Sequence, residues 1–78
     1  MERKMIYLGS FERAVRFVYS ATESDARILL VSGSSTINGK SLLGVFTLNL
    51  AEPITLEIHG DKRSKEDAIH TLSSYIQP

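Results

Sequence analysis

The sequence predicts an α+β fold, an open-faced two-layer sandwich with element order βαββαβα. A four-stranded, mostly antiparallel sheet carries three helices on one face in this prediction. Two observations support it: short β-prone runs are interspersed with helical patterns, and residues 54–59 alternate strictly between apolar and polar side chains. The 78 residues are enough for one domain, so residues 1–78 are taken as a single unit.

The first strand and the first helix are predicted before residue 24. Residues 4–8 form a short apolar, β-prone run that ends at Gly9. Ser10 is a favourable N-cap, and no glycine or proline follows it up to about residue 23. Glu12 would lie at the positive end of this helix, helix A.

Two short strands and a weak helix are predicted in the middle of the chain. The strands are residues 27–31 and 36–38, joined by a turn at 32–35. Ser41 is a plausible N-cap for a helix reaching about residue 48, helix B. Its glycine at position 44 lowers its helical propensity.

The last strand and helix follow Pro53. The alternating residues 54–59 predict a strand that is buried on one face, and residues 60–64 predict a turn. Ser64 is expected to cap the last helix, helix C. The apolar residues of that helix fall on one face: Ala68, Ile69, Leu72, Tyr75 and Ile76.

Composition excludes several classes of function. The chain has no cysteine and equal numbers of acidic and basic residues, which argues against thiolate chemistry, zinc-thiolate sites and nucleic-acid binding. It has no apolar run typical of a signal peptide or membrane span, so we expect a cytoplasmic protein without a membrane partner. His59 and His70 are isolated and predict no metal site, and no cofactor is expected.

Residues 38–48 resemble the regulatory-serine segment of HPr, the small phosphocarrier of the bacterial sugar phosphotransferase system. That family shows Lys-Ser-apolar-apolar-Gly-apolar-apolar-Ser/Thr-Leu, which this chain matches from Lys40 to Leu48. Residues 17–21, 54–60 and 66–68 resemble other parts of the same family. The resemblance covers nearly the whole chain and implies the HPr-like form of the predicted sandwich.

The start of helix A departs from this family, which carries Gly-apolar-His-Ala-Arg-Pro-Ala there. In the family the histidine takes the phosphate and the arginine helps to hold it. Counting back from Ser41 without gaps puts Ser10 at the histidine position, Glu12 at the arginine position and Arg13 at the proline position. The segment before Ser10 is also shorter than in the family, so we expect the loop that shapes the phosphate pocket to be cut.

These departures predict that phosphate relay is lost. A serine phosphate monoester is too stable to replace the phosphoramidate of a histidine, and the Glu12 carboxylate would repel a phosphate at the helix N-terminus. His59 lies on the polar face of a strand and His70 lies off the apolar face of helix C. We therefore expect both to be ordinary solvated histidines.

Ser41 has two compatible roles. As an N-cap it would stabilise helix B by about 1 kcal/mol. The resemblance further implies that Ser41 is a regulatory phosphorylation site for a serine kinase of the HPr type. A phosphate there would meet free backbone N–H groups, and Lys40 would add a nearby cation.

Helix A is too apolar to bury only one side. One stripe is expected in the core: Ala14, Phe17, Val18 and Ala21. A second stripe would face outward beside residues of helix B, and the resemblance implies that this face docks partner proteins. Homodimerisation and burial in the core remain alternatives. The residues concerned are Phe11, Val15, Tyr19, Leu42, Leu43 and Phe46.

The sequence thus predicts a non-catalytic HPr-like regulatory or adaptor protein rather than an enzyme. One catabolite-repression paralog in the family also lacks the histidine, keeps the serine and acts with a transcription regulator, so a regulator is one expected partner. Two alternatives stay open: a phosphocarrier that uses a non-standard residue, and a self-associating structural domain.

Overall fold

A computed structural model describes all 78 residues, and it has the predicted order of elements. The strands are β1 (Glu2–Ile6), β2 (Arg27–Ser32), β3 (Ser35–Asn38) and β4 (Ile54–His59). The helices are α1 (Phe11–Thr22), α2 (Leu42–Val45) and α3 (Lys62–Thr71), and a 3₁₀ turn follows at Ser73–Tyr75. The predicted open-faced α+β sandwich is confirmed.

The four strands form one sheet in the order β1-β4-β2-β3, and every neighbouring pair is antiparallel. The strict alternation in β4 places Ile54, Leu56 and Ile58 in the core, where they pair with residues of β1 and β2. The helices cover this face of the sheet. The largest fully buried side chains lie between the two layers: Phe17, Ile6, Leu8, Ile28, Leu30, Ile54, Leu56, Ile58, Leu72 and Val45.

Strand β1 ends two residues earlier than predicted. Its last pair joins Ile6 to Ile54, and the residue before Ile54 is Pro53, which has no N–H to extend the ladder. The chain then turns to other partners: the Tyr7 N–H donates to the Tyr75 carbonyl, and the Gly9 N–H donates to the Leu50 carbonyl.

Helix α3 begins earlier than predicted, and the cap assigned to Ser64 was wrong. The Asp61 carboxylate accepts a hydrogen bond from the Ser64 N–H at 2.8 Å, so Asp61 is the N-cap. This hydrogen bond lowers the pKa of Asp61, because it favours the ionised carboxylate. The helix also stops at Thr71, although Leu72 and Tyr75 remain buried as the apolar pattern predicted.

Helix α2 is a single turn, shorter than the predicted span to residue 48. The Thr47 N–H and hydroxyl both bond to the Gly44 carbonyl, which leaves the segment after α2 as turns. The chain has no helix long and apolar enough to cross a membrane.

Candidate functional site

The N-terminus of α1 lies where the family resemblance puts the phosphate-accepting residue, and it is capped by Ser10. The Ser10 backbone is extended, with φ −148° and ψ 161°, and its Oγ accepts a hydrogen bond from the Arg13 N–H at 3.1 Å. Glu12 is exposed in the first turn. The local chemistry is therefore that of a satisfied helix cap beside a carboxylate.

Arg13 fixes the loop in front of this cap. Its Nε donates to the Leu8 carbonyl at 2.8 Å, and its Nη2 donates to the Tyr7 carbonyl at 3.1 Å. The guanidinium also lies over the Tyr75 ring, 4.8 Å from its centre. The cation nearest in sequence to the cap is thus held by carbonyl oxygens and an aromatic face.

Gly9 completes this tight loop. Its φ is +77°, in the left-handed region, and a Cβ there would lie 2.6 Å from the Tyr7 ring. The loop between β1 and α1 is therefore fixed on both sides: its N–H groups bond to Tyr75 and Leu50, and its carbonyl oxygens accept from Arg13.

The N-terminus of α2 is built in a similar way around Ser41. Its Oγ accepts a hydrogen bond from the Gly44 N–H at 3.1 Å, and the residue is half-buried. A Cβ at Gly44 would lie 2.7 Å from Cγ2 of Ile37, so glycine allows α2 to pack closely on β3. The predicted N-cap role of Ser41 is confirmed.

Lys40, the cation expected near a phosphate on Ser41, is bonded to the end of α1 in the unphosphorylated chain. Its Nζ donates to the Ser24 carbonyl at 2.6 Å, just after the C-terminus of α1. A lysine is favourable at this end of a helix because the free carbonyls carry partial negative charge. Lys40 therefore joins the α2 segment to the end of α1.

Neither histidine lies at a helix N-terminus. His59 ends β4, and its Nε2 lies 3.2 Å from Oε1 of Glu57. Glu57 also accepts a hydrogen bond from Nε of Arg3 at 3.3 Å. These two neighbours, the His59 hydrogen bond foremost, lower the pKa of Glu57. His70 is exposed in the last turn of α3.

Six apolar residues of α1 and the α2 segment form what we call the α1/α2 patch. Four of them are exposed: Phe11 by 63%, Tyr19 by 69%, Leu42 by 38% and Leu43 by 82%. The other two, Val15 and Phe46, are half-buried, so the expectation of a fully exposed face is corrected at these positions. Phe46 also packs against the core.

The two phenylalanines of the α1/α2 patch are stacked. The Phe11 and Phe46 ring centres are 4.1 Å apart, with 12° between their planes. One face of Phe11 is therefore covered by Phe46, and its 63% exposure belongs to the other face and the edges. The first turn of α1 and the segment after α2 present this aromatic pair jointly.

Sequence reasoning missed two of these arrangements. The hydrogen bonds from Arg13 to the Leu8 and Tyr7 carbonyls were missed, because no local sequence pattern indicates where an arginine side chain reaches. The Phe11–Phe46 stack joins residues far apart in the chain. The only available signal was that both rings fell in the predicted second apolar face.

The open-faced sandwich, with Ser41 capping α2 in the segment that matches the family pattern, is that of a small domain of the HPr class. The family model described as "PTS HPr component phosphorylation site" matches residues 12–77. The chain therefore belongs to the HPr family. The match begins at Glu12 and does not include Ser10. No curated protein sequence matches the chain significantly.

Solved structures give the same fold. HPr-C-His from Thermoanaerobacter tengcongensis is 23% identical, with a TM-score of 0.80 over 95% of this chain and 89% of that one. The phosphocarrier protein HPr from Bacillus anthracis is 25% identical, with a TM-score of 0.79 over 97% and 96%. The catabolite repression protein Crh of Bacillus subtilis, described as a swapped dimer, is 23% identical, with a TM-score of 0.69 over 92% and 80%.

Proposed function

We propose that this chain is a non-catalytic, regulatory HPr-family protein of the cytoplasm that no longer carries phosphate on a histidine. It binds a protein partner through the α1/α2 patch, and a serine kinase of the HPr type modifies it at Ser41. A transcription regulator is the partner class that this role suggests. Such a protein differs from a phosphocarrier because it has no phosphate-accepting histidine at the start of α1.

The observation that carries the proposal is the state of the α1 N-terminus. Ser10 stands where an imidazole would be needed, and its Oγ is engaged with the Arg13 N–H. The Arg13 guanidinium is occupied by the Tyr7 and Leu8 carbonyls, so it is not free to hold a phosphate. The Glu12 carboxylate adds repulsion toward any anion at this position.

The Ser41 part of the proposal is supported by local geometry. The hydroxyl lies at the start of α2 and accepts only the Gly44 N–H, so a phosphate could keep that N–H bonded through one of its oxygens. In the proposed step the kinase transfers the γ-phosphoryl group of ATP to Oγ, releasing ADP and a proton. Phosphorylation would add negative charge directly beside the exposed Leu42 and Leu43.

The experiment that tests the loss of relay is incubation with labelled phosphoenolpyruvate and enzyme I, the general enzyme of the phosphotransferase system. We expect no acid-labile label on this chain, whereas the HPr of Bacillus anthracis in the same tube becomes labelled. Label that disappears in His59→Gln or His70→Gln would contradict the proposal and support a non-standard phosphocarrier.

A second assay tests Ser41 with an HPr-type serine kinase and ATP, read by intact mass and peptide mapping. We expect one phosphate, absent from Ser41→Ala and retained in Ser10→Ala. Ser10 is the matched control because both serines cap a helix with an Oγ contact of 3.1 Å. Modification of Ser10, or none under conditions that fully modify an authentic HPr, would contradict this part of the proposal.

A further inference from the structure

Next to the α1/α2 patch lies a feature that apolar docking does not use, the carboxylate of Glu12, which follows the exposed Phe11 in the first turn of α1. Phe11 shows one face to solvent because Phe46 covers the other. Glu12 follows it directly on α1, about 100° further around the helix. A π-face and a carboxylate on adjacent strips of one helix both attract a cation.

The Glu12 carboxylate has no cationic partner within the chain. The ion pairs of the structure are Arg3–Glu57 and His59–Glu57, both involving β4. Arg16 follows Glu12 by one helical turn, yet the two are not within ion-pair distance. Arg13, the basic residue that follows Glu12, is bonded to backbone carbonyls, and Lys40 is bonded at the opposite end of α1.

We propose that the α1/α2 patch selects a protein partner that places an arginine over the open face of Phe11 and pairs it with Glu12. This inference rests on the proposed docking function and specifies the chemistry of the partner. A guanidinium suits the site better than an ammonium, because it stacks on aromatic faces and bonds a carboxylate with two parallel N–H groups.

The surroundings of Phe11 determine how strong this contact can be. Cation–aromatic contacts are weak in open solvent and strengthen when they are desolvated. Leu42, Leu43 and Tyr19 are also exposed on the α1/α2 patch, so a partner that covers the whole patch would exclude water from the aromatic pair. The positive end of the α1 dipole opposes a cation, but the Glu12 carboxylate in the first turn offsets this field.

The test begins with an unbiased probe, a library of random linear peptides displayed on phage and selected on the full chain. We expect the enriched peptides to combine apolar residues with an arginine. An enriched peptide is then synthesised with arginine or with citrulline, its neutral isostere, and its Kd is measured by fluorescence anisotropy. Citrulline should weaken binding about fivefold to tenfold.

Three variants locate the effect. Glu12→Gln and Phe11→Leu should each weaken the arginine peptide several-fold and leave the citrulline peptide nearly unaffected. Arg16→Gln is the matched control one turn away, and it should bind the arginine peptide at least as tightly as the unmodified chain. Circular dichroism of each variant checks that the fold is retained.

The outcomes of this experiment distinguish the arginine proposal from the docking function on which it rests. Peptides that lack basic residues, or that bind equally with citrulline, would overturn the arginine proposal. If such peptides still lose binding in Leu43→Ser, the docking function stands without it. If no peptide enriches on the chain, or binding survives Leu43→Ser and Glu12→Gln together, both are overturned. A dimer held by the α1/α2 patch would also overturn the arginine proposal.

Discussion

Helix α1 has two apolar stripes of similar composition, of which one is buried and the other is largely exposed. The buried stripe, Ala14, Phe17, Val18 and Ala21, packs on the sheet, and Phe17 has no exposed surface. The outer stripe consists of Phe11, Val15 and Tyr19, and Phe11 and Tyr19 are each more than half exposed. Both stripes carry a phenylalanine and a β-branched valine, so composition alone does not distinguish them.

The aromatic contacts show what distinguishes the two stripes. Phe17 meets Tyr75 edge to face, with ring centres 5.3 Å apart and planes at 88°, inside the core. Phe11 stacks flat on Phe46, which belongs to the segment after α2 and is half-buried. The core face of α1 is therefore the one that packs on the sheet and Tyr75. Its second apolar face packs against Phe46, in the segment after α2.

The largest expected effect is on the buried stripe. Phe17→Ala should lower the free energy of unfolding by about 3–5 kcal/mol, because it removes a fully buried ring and leaves a cavity against Tyr75. Urea denaturation followed by circular dichroism measures this loss. A cost below that of Phe46→Ala would contradict the assignment of this stripe to the core.

The next effect is at Phe46, which the sequence placed on the exposed face. Because the ring is half-buried and packs on the core, Phe46→Ala should cost about 2 kcal/mol, between the values for a core and a surface phenylalanine. The same denaturation experiment measures it. A cost under about 0.5 kcal/mol would show that Phe46 behaves as a free surface residue.

Removal of the Ser41 cap should have a still smaller effect on the free energy of unfolding. Ser41→Ala is expected to cost about 1 kcal/mol, because the Gly44 N–H loses its acceptor and α2 is only four residues long. Ser41→Asp keeps a capping oxygen and should be near neutral. If Ser41→Asp destabilises as much as Ser41→Ala, the cap is not the source of the effect.

Local sequence patterns predicted the regular elements well and their side-chain anchors poorly. Strand β4 and the start of α1 at Phe11 agree with the prediction, because strict alternation and a serine cap are local signals. Asp61 was missed as a cap because Ser64, three residues later, is an equally acceptable capping residue by type.

Long-range anchors had no such signal. Lys40 bonds to Ser24, sixteen residues away, and its sequence neighbour Ser41 suggested a different role. Arg13 reaches back to the end of β1, a direction that depends on how the loop closes. The family resemblance indicated which positions matter at the start of α1, but the contacts of Arg13 required the folded chain.

The smallest expected effect on stability is also the most informative for function. Leu43→Ser and Tyr19→Ser remove two of the most exposed side chains of the α1/α2 patch, and each should change the free energy of unfolding by less than about 0.5 kcal/mol. Sedimentation velocity of the same proteins then reports on their oligomeric state. A monomer throughout, with full stability, leaves the patch free for a different protein. A dimer that Leu43→Ser dissociates would favour self-association instead. Destabilisation comparable with that of Phe17→Ala would mean that these side chains are buried in solution, and the docking proposal would be wrong, because no apolar face would remain for a partner to cover.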